Sequence, residues 1–446
     1  VPVFSRLKVY TAYEYLENRF DGKTRTLTSF LFLLQRGVST GISVFAPSII
    51  LSSLLGWNIY WTNLFMGGLL VIYTMSGGAK AVAYTQQLQL IIIFIGMFLA
   101  AYMVVQLLPH GVGFTDALQV SGKLGRLNTI TTGFEKTGSF DWGDKYNIFS
   151  GVIGGFFLAL SYFGADQSQV GRYLTASSLK QSRMGLLMNG FVKVPMQFLI
   201  LLIGTLVFTF YQFNKAPIFF NDVQVKKLEQ SVYKDSFSIV QKQYDAILLK
   251  KQKVVNDYTD ARDIDNTIAA GESLVRLREL QKTSDSLRAQ VKAWINKKEV
   301  GGDGNDTNYI FLRFVVDNLP VGLVGLLIAI IFLASWGSIA AAINSLASCT
   351  MVDFHRRFTK KKESGEDEYR LSKLYTLGWG VFCIVIAMYT YNMGNSLIET
   401  VNELGSLFYG SILGVFLVAF FMKKINNGTV VFLAALITQI LVLVIY

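Results

Sequence analysis

Apolar runs of about 20 residues recur along the whole chain, and each is long enough to carry a helix across the hydrocarbon core of a bilayer. Nine spans are expected, at 27–52, 58–75, 82–108, 146–166, 185–213, 316–351, 372–393, 397–422 and 428–446. The segment from 316 is longer than a bilayer is thick and should tilt or extend beyond it. With 52% hydrophobic and only 16% charged residues, the 446-residue chain is too apolar for a soluble protein. It reads as an all-α polytopic membrane protein.

A net charge of +11 could signal nucleic acid, but most basic residues sit in short loops between the apolar runs. Membrane topology accounts for that distribution, and no nucleic-acid partner is expected. Arg6, Lys8, Arg19, Lys23 and Arg25 lie in one loop, Lys80 in another, and Arg172, Lys180 and Arg183 in a third. His355, Arg356, Arg357 and Lys360, Lys361 and Lys362 follow, then Lys423 and Lys424. If the spans alternate, all of these fall on one side, which is then cytoplasmic. The two cysteines, Cys349 and Cys383, both lie in apolar segments, so no disulfide scaffold is expected. The two histidines, His110 and His355, are in loops and make a His-based metal site improbable. The chain opens on VFSRLKVYTAYEYLENRFDGKTR (3–25), which reads like a loop between membrane helices, so further helices are expected before it.

Three parts follow: a transmembrane core in 1–213, an insertion in 214–315, and the rest of the core in 316–446. The insertion has no proline between Ile218 and Leu319 and far more charge than the spans. Val240, Tyr244 and Ile247, then Leu274, Leu277, Leu280, Leu287, Val291 and Trp294, follow helical spacing. The pattern predicts a helical hairpin outside the membrane, turning within Asn266–Gly271, either as a bare spacer or as the seat of a protein partner.

Ionisable groups inside lipid are functional candidates by default. Arg36 lies inside LLQRGVSTGISVFAP, Asp166 follows YFGA near the inner end of the fourth span, and Lys193 precedes Pro195 in the fifth. For Arg36 and Lys193, snorkelling or a packing ion pair is the competing reading. The fourth span, GVIGGFFLALSYFGADQSQVGRYLTA, combines Gly151, Gly154, Gly155 and Gly164 with a polar run from Asp166 to Gln169. Such a mixture suits a discontinuous helix whose freed backbone groups face a cavity. In ASWGSIAAAINSLASCTMVD (334–353), small residues at Ala334, Ser338 and Ala342 line one helix face. Two readings fit that face: close packing against neighbouring helices, or oxygen ligands for a small hard cation such as sodium. No nucleotide-binding loop, zinc motif or catalytic triad is visible, so the chain is not read as an enzyme.

YTAYEYLENRF (10–20), SGGAKAVAYTQQLQ (76–89), SYFGADQSQVGRYLTASS (161–178), AAAINSLASCTMVDF (340–354) and NELGSLFYGSILGVFLVAFFMKK (402–424) together resemble the sodium:solute symporter family. The resemblance implies a LeuT-type core of two inverted five-helix repeats, with the present spans as core helices three to ten plus one trailing helix. By residue match it implies a substrate site with Tyr162 as an inner aromatic gate and with Gln167, Lys193 and Asn402 as substrate-side positions. Ala159 stands where sugar transporters carry an Asn, which argues against a hexose. For sodium, the only cofactor implied, the matched positions are Ala334, Gly337 and Ser338, and only Ser338 keeps its hydroxyl. Gln86, Ala340 and Ala341 replace the ligands of a second sodium site found in some relatives.

The chain is therefore expected to be a sodium-coupled symporter of a small organic solute or anion. It would be a multi-pass protein of a cell membrane, the bacterial inner membrane, with 214–315 outside. The alternatives are a proton-coupled symporter using Asp166, and a solute sensor or scaffold on a transporter fold.

Overall fold

The computed structural model describes the chain apart from residues 1, 8, 110, 129, 136–137, 145, 175, 177, 360–364 and 391–396, and apart from the side chains of 2, 5, 6, 77–85 and 87. The expectations placed on Arg6, Lys8, Lys80, His110 and Lys360, Lys361 and Lys362 lie outside the described residues. What is described is helical. Two short helices, α1 (Pro2–Leu7) and α2 (Glu14–Arg19), precede α3 (Gly22–Leu55) and α4 (Ile59–Gln106). Then come α5 (Phe114–Lys123), α6 (Gly155–Gly164), α7 (Gln167–Leu174) and α8 (Leu179–Phe213). The insertion holds α9 (Asp222–Glu229), α10 (Lys234–Asp263) and α11 (Thr267–Ile295). The last part holds α12 (Ile310–Asn318), α13 (Val321–Cys349), α14 (Arg356–Phe358), α15 (Gly365–Tyr389), α16 (Leu397–Phe421) and α17 (Gly428–Ile445). Among the described residues, seven helices are long and apolar enough to cross a membrane, and Ser150–Gly164 forms a shorter apolar segment.

Local chemistry sets the ends. Asp21 accepts from the Thr24 amide and opens α3, while Gly56, at φ 67°, closes it in a conformation that costs glycine little. Asn58, Ser178 and Asn427 cap α4, α8 and α17 in the same way as Asp21. Pro320 precedes the first residue of α13, where a missing amide hydrogen is tolerated. The expected single segment from 316 is thus two helices, because Leu319-Pro320 ends α12 and starts α13.

The expected separation of 58–75 from 82–108 is not a loop: 59–106 is helical throughout. Its two halves nevertheless run in opposite directions. Asn63, Gly67 and Val71 meet Ala387, Ile384 and Gly380 in turn, so the first half is antiparallel to α15. Gln86 meets Gly337, and Gly96 meets Leu327 and Ile330, so the second half is antiparallel to α13. Helices α13 and α15 are themselves antiparallel, through Trp379–Thr350, Tyr375–His355 and Glu368–Arg356. The chain therefore reverses between Tyr73 and Gln86, and 59–106 is two helical stretches that meet without a loop, which keeps the two expected spans.

Helix α3 forms the centre, against α4, α13, α15 and α16. A Cβ on Gly41 would sit 2.5 Å from Ile386, so glycine permits that backbone approach. The foot of α3, the end of α13 and the start of α17 converge on one face. There Arg25 binds Asp353, Arg357 binds the Gly22 carbonyl, and Arg19 reaches Asn426. The opposite face carries α5 and the insertion. Helices α10 and α11 form the predicted antiparallel hairpin, although the turn comes earlier than expected, at Ile264–Asn266, with Asp265 at φ 51°. Val240, Tyr244, Leu277 and Val291 are buried in it, as their spacing required. The hairpin lies on α5 through Arg262–Asp116 at 2.9 Å.

Candidate functional site

The fourth span is broken as its composition predicts. A π-helical turn, Ser150–Gly154, leads into α6, the helix stops at Gly164, and α7 restarts at Gln167. Between them Asp166, 1% exposed, gathers the surrounding polar groups. Its Oδ2 accepts from the Arg36 guanidinium and, at 2.7 Å, from the Tyr409 hydroxyl. Its Oδ1 accepts from the Ser168 amide at 2.8 Å and the Ser168 hydroxyl at 2.6 Å. The first of these last two satisfies an amide freed by the break, as a capping residue does at a helix start. Tyr13 donates to the Ala165 carbonyl at 3.2 Å, so the loop before α2 also holds the break.

Directly against this centre lies a cavity of about 350 Å³ between α3, α6, α8 and α16. Gln35, Arg36, Ala159, Tyr162, Lys193, Asn402 and Tyr409 line it, with apolar wall from Leu158, Phe163 and Val401. The Tyr162 ring has two cations near it, with Arg36 Cζ 5.4 Å and Lys193 Nζ 5.6 Å from its centroid. Its hydroxyl accepts from Gln169 Nε2 at 2.6 Å, bridging the break from α7 back to α6. Two buried polar atoms in the lining have no partner, Arg36 Nε and Gln35 Oε1. Among the described residues, the lining contains two cations and no carboxylate.

Of the sequence-derived substrate positions, Tyr162, Lys193 and Asn402 thus meet at one cavity, with Arg36 beside them and Asp166 behind. Gln167 does not join them. Its Oε1 accepts from the Ala12 amide at 2.7 Å and its Nε2 donates to the Tyr10 carbonyl at 3.1 Å, so it anchors the break to the chain's opening segment. The positions matched to sodium lie elsewhere, on α13. Ser338 is exposed, Ala334 is half-buried, and the Gly337 carbonyl already accepts from Gln86 Nε2 at 2.7 Å. A Cβ on Gly337 would sit 2.5 Å from Gln89 Oε1, so the Gln89 amide occupies the room a side chain would need.

Tyr409, Gln169 and Ser168 were not singled out from the sequence. Gln169 and Ser168 fall in the polar run that marked the break, and Tyr409 is one of several hydroxyls on α16, with Thr400, Ser406 and Ser411.

The family model for the sodium:solute symporter family matches residues 1–230 and 260–437. A sodium/sialic acid symporter of Proteus mirabilis is 23% identical over 97% of this chain and 69% of its own length. The sodium-dependent multivitamin transporter of Oryctolagus cuniculus is 26% identical over 98% of this chain. The human sodium/iodide cotransporter is 31% identical over 42% of it. The chain spans 54% and 28% of the length of these last two relatives. Among solved structures, the substrate-bound outward-open state of a Na+-coupled sialic acid symporter superposes with a TM-score of 0.67 at 21% identity, over 99% of this chain and 77% of that one.

Proposed function

Because the chain belongs to the sodium:solute symporter family, we propose that it takes part in sodium-coupled symport of a small organic anion, with the cavity against Asp166 as the solute site. One observation carries the choice of an anion: the cavity lining offers Arg36 and Lys193 and no carboxylate. Asp166 already engages one face of the Arg36 guanidinium. Arg36 Nε is left as a buried donor without an acceptor, which costs about 1–3 kcal/mol until a ligand oxygen fills the place. Lys193, with only ring faces beside it among the described residues, supplies a second positive charge. Relatives named for sialic acid and monocarboxylate transport are in keeping with this reading.

Tyr162, fixed by Gln169 across the break, is positioned to close over the solute when α7 shifts against α6. Asn402 adds a polar contact from α16. Sodium is assigned to α13, at the Ala334 carbonyl and the Ser338 hydroxyl, with Gly337 contributing no hydroxyl. Sodium and solute help each other reciprocally, as binding linkage requires. Alternating access then comes from one helix bundle rocking against another around this site. The proton-coupled alternative is less favoured by the geometry, because a proton on Asp166 would displace one of four donors already in place. The hairpin is assigned to the extracytoplasmic side of a bacterial inner membrane, with a protein partner.

Counterflow of a solute panel in proteoliposomes, with and without sodium, tests the proposal. Carboxylates should exchange and neutral sugars should not, and Ser338→Ala should raise the half-maximal sodium concentration about ten-fold. Flux driven by a proton gradient without sodium would select the proton-coupled alternative. Binding without any flux would select the sensor.

A further inference from the structure

On the face where the feet of α3, α13 and α17 converge, an open groove of about 670 Å³ runs between them and shares no lining residue with the solute cavity. One wall is α3, where Lys23, Thr26, Leu27 and Phe30 follow one another at i, i+3, i+4 and i+7 and so share a stripe. The other walls are Phe354, Arg357 and Phe358 after α13, and Phe432 of α17. Along the α3 stripe the chemistry changes from an ammonium to bare aromatic surface within about 10 Å, at 1.5 Å per residue. Phe30, 52% exposed, also lines a second apolar crevice of about 440 Å³ formed with Leu33, Leu34, Tyr375, Trp379 and Phe382. The groove therefore continues up α3 as an apolar path with a basic lower end.

The basic end is built. Arg357 is held by the Gly22 carbonyl at 3.1 Å, the Thr26 hydroxyl at 2.7 Å and Glu17 at 3.3 Å. Lys23 is exposed and makes no hydrogen bond or ion pair among the described residues. Asp21, which also lines the groove, uses its Oδ1 to cap α3. The lining thus carries two cations against one carboxylate, and apolar walls sit above them.

We propose that this groove is a binding site for an anionic phospholipid of the adjoining leaflet, its phosphate at Lys23 and Arg357 and one acyl chain passing Phe30 into the second crevice. The match is in both charge and order: a lipid presents its phosphate and its chain in the sequence that the α3 stripe presents Lys23 and Phe30. A soluble anion would use only the lower end and gain nothing from the aromatic path.

Native mass spectrometry of the full chain, titrated with phosphatidylglycerol or phosphatidylcholine, tests this. Wild type should retain phosphatidylglycerol preferentially, and Lys23→Gln should cut that retention about five-fold without changing phosphatidylcholine. Phe30→Glu, at an exposed position, should abolish the preference, with melting in zwitterionic detergent verifying that both variants fold. Equal retention of the two lipids, a Lys23→Gln variant that binds as wild type, or glycerol phosphate retained as well as phosphatidylglycerol would each overturn the site.

Discussion

Arg36 and Asp166 hold each other inside the bundle, and neither could stay there alone. Asp166→Asn would leave the Arg36 guanidinium buried without its counter-ion, at an expected loss of about 3–5 kcal/mol. Tyr409→Phe removes only one of four donors to Asp166 and should cost about 1–2 kcal/mol. Thermal melting of the two variants in detergent checks the order, and equal losses would show that the pair is not the anchor. Both ionisable residues were legible in the sequence because a charge inside an apolar run stands out. Tyr409 and Gln169 were not, because a hydroxyl or an amide in such a run has many bland uses. Gln167 was matched to the solute by family position alone, and its side chain is spent on Tyr10 and Ala12 instead.

At the scale of elements, periodicity and glycine content foretold the break in the fourth span and the hairpin, since both follow from neighbouring residues. The path of 59–106 was legible as two apolar spans, but not the meeting of the two helices without a loop between them. The hairpin carries a feature no spacing reveals. Lys251 is 4% exposed and donates to Gln281 at 2.5 Å, and burial lowers its pKa from the ordinary 10.5 to about 8. Between those two values the unfolded chain binds the extra proton, so the stability contributed at this site rises as pH goes from about 8 to 10.5 and is flat below. Lys251→Met should therefore be more stable than wild type at pH 7.5, by up to about 3 kcal/mol, and the gap should close by pH 10. Paired melting curves at the two pH values decide it, and a gap independent of pH would contradict the assignment.

For the whole molecule, the contacts that matter most join residues hundreds of positions apart. Asp353, fully buried, accepts from Thr11 at 2.8 Å, from Arg25 Nε at 2.7 Å and from Ser29 at 3.0 Å, tying the end of α13 to the opening segment. The sequence showed Arg25 only as a loop charge, because no spacing connects it with position 353. The hairpin is a comparable case. Tyr258, Val255 and Leu277 share a core with α5 and α8, so the hairpin is packed onto the bundle and does not stand free of it. Deleting 222–300 should lower the melting temperature of the remaining bundle and abolish assembly with the proposed partner. Transport and assembly both intact after deletion would remove the partner from the account.

The Gln89 amide beside Gly337 has a consequence for how this chain can change. A hydroxyl returned to position 337 would bring a Cβ within 2.5 Å of the Gln89 amide oxygen, the far end of a flexible side chain, so Gln89 would have to turn aside to admit it. Glycine at 337 and the present seat of the Gln89 amide go together, so a side chain gained at 337 would be felt first as a re-seated glutamine on the neighbouring helix.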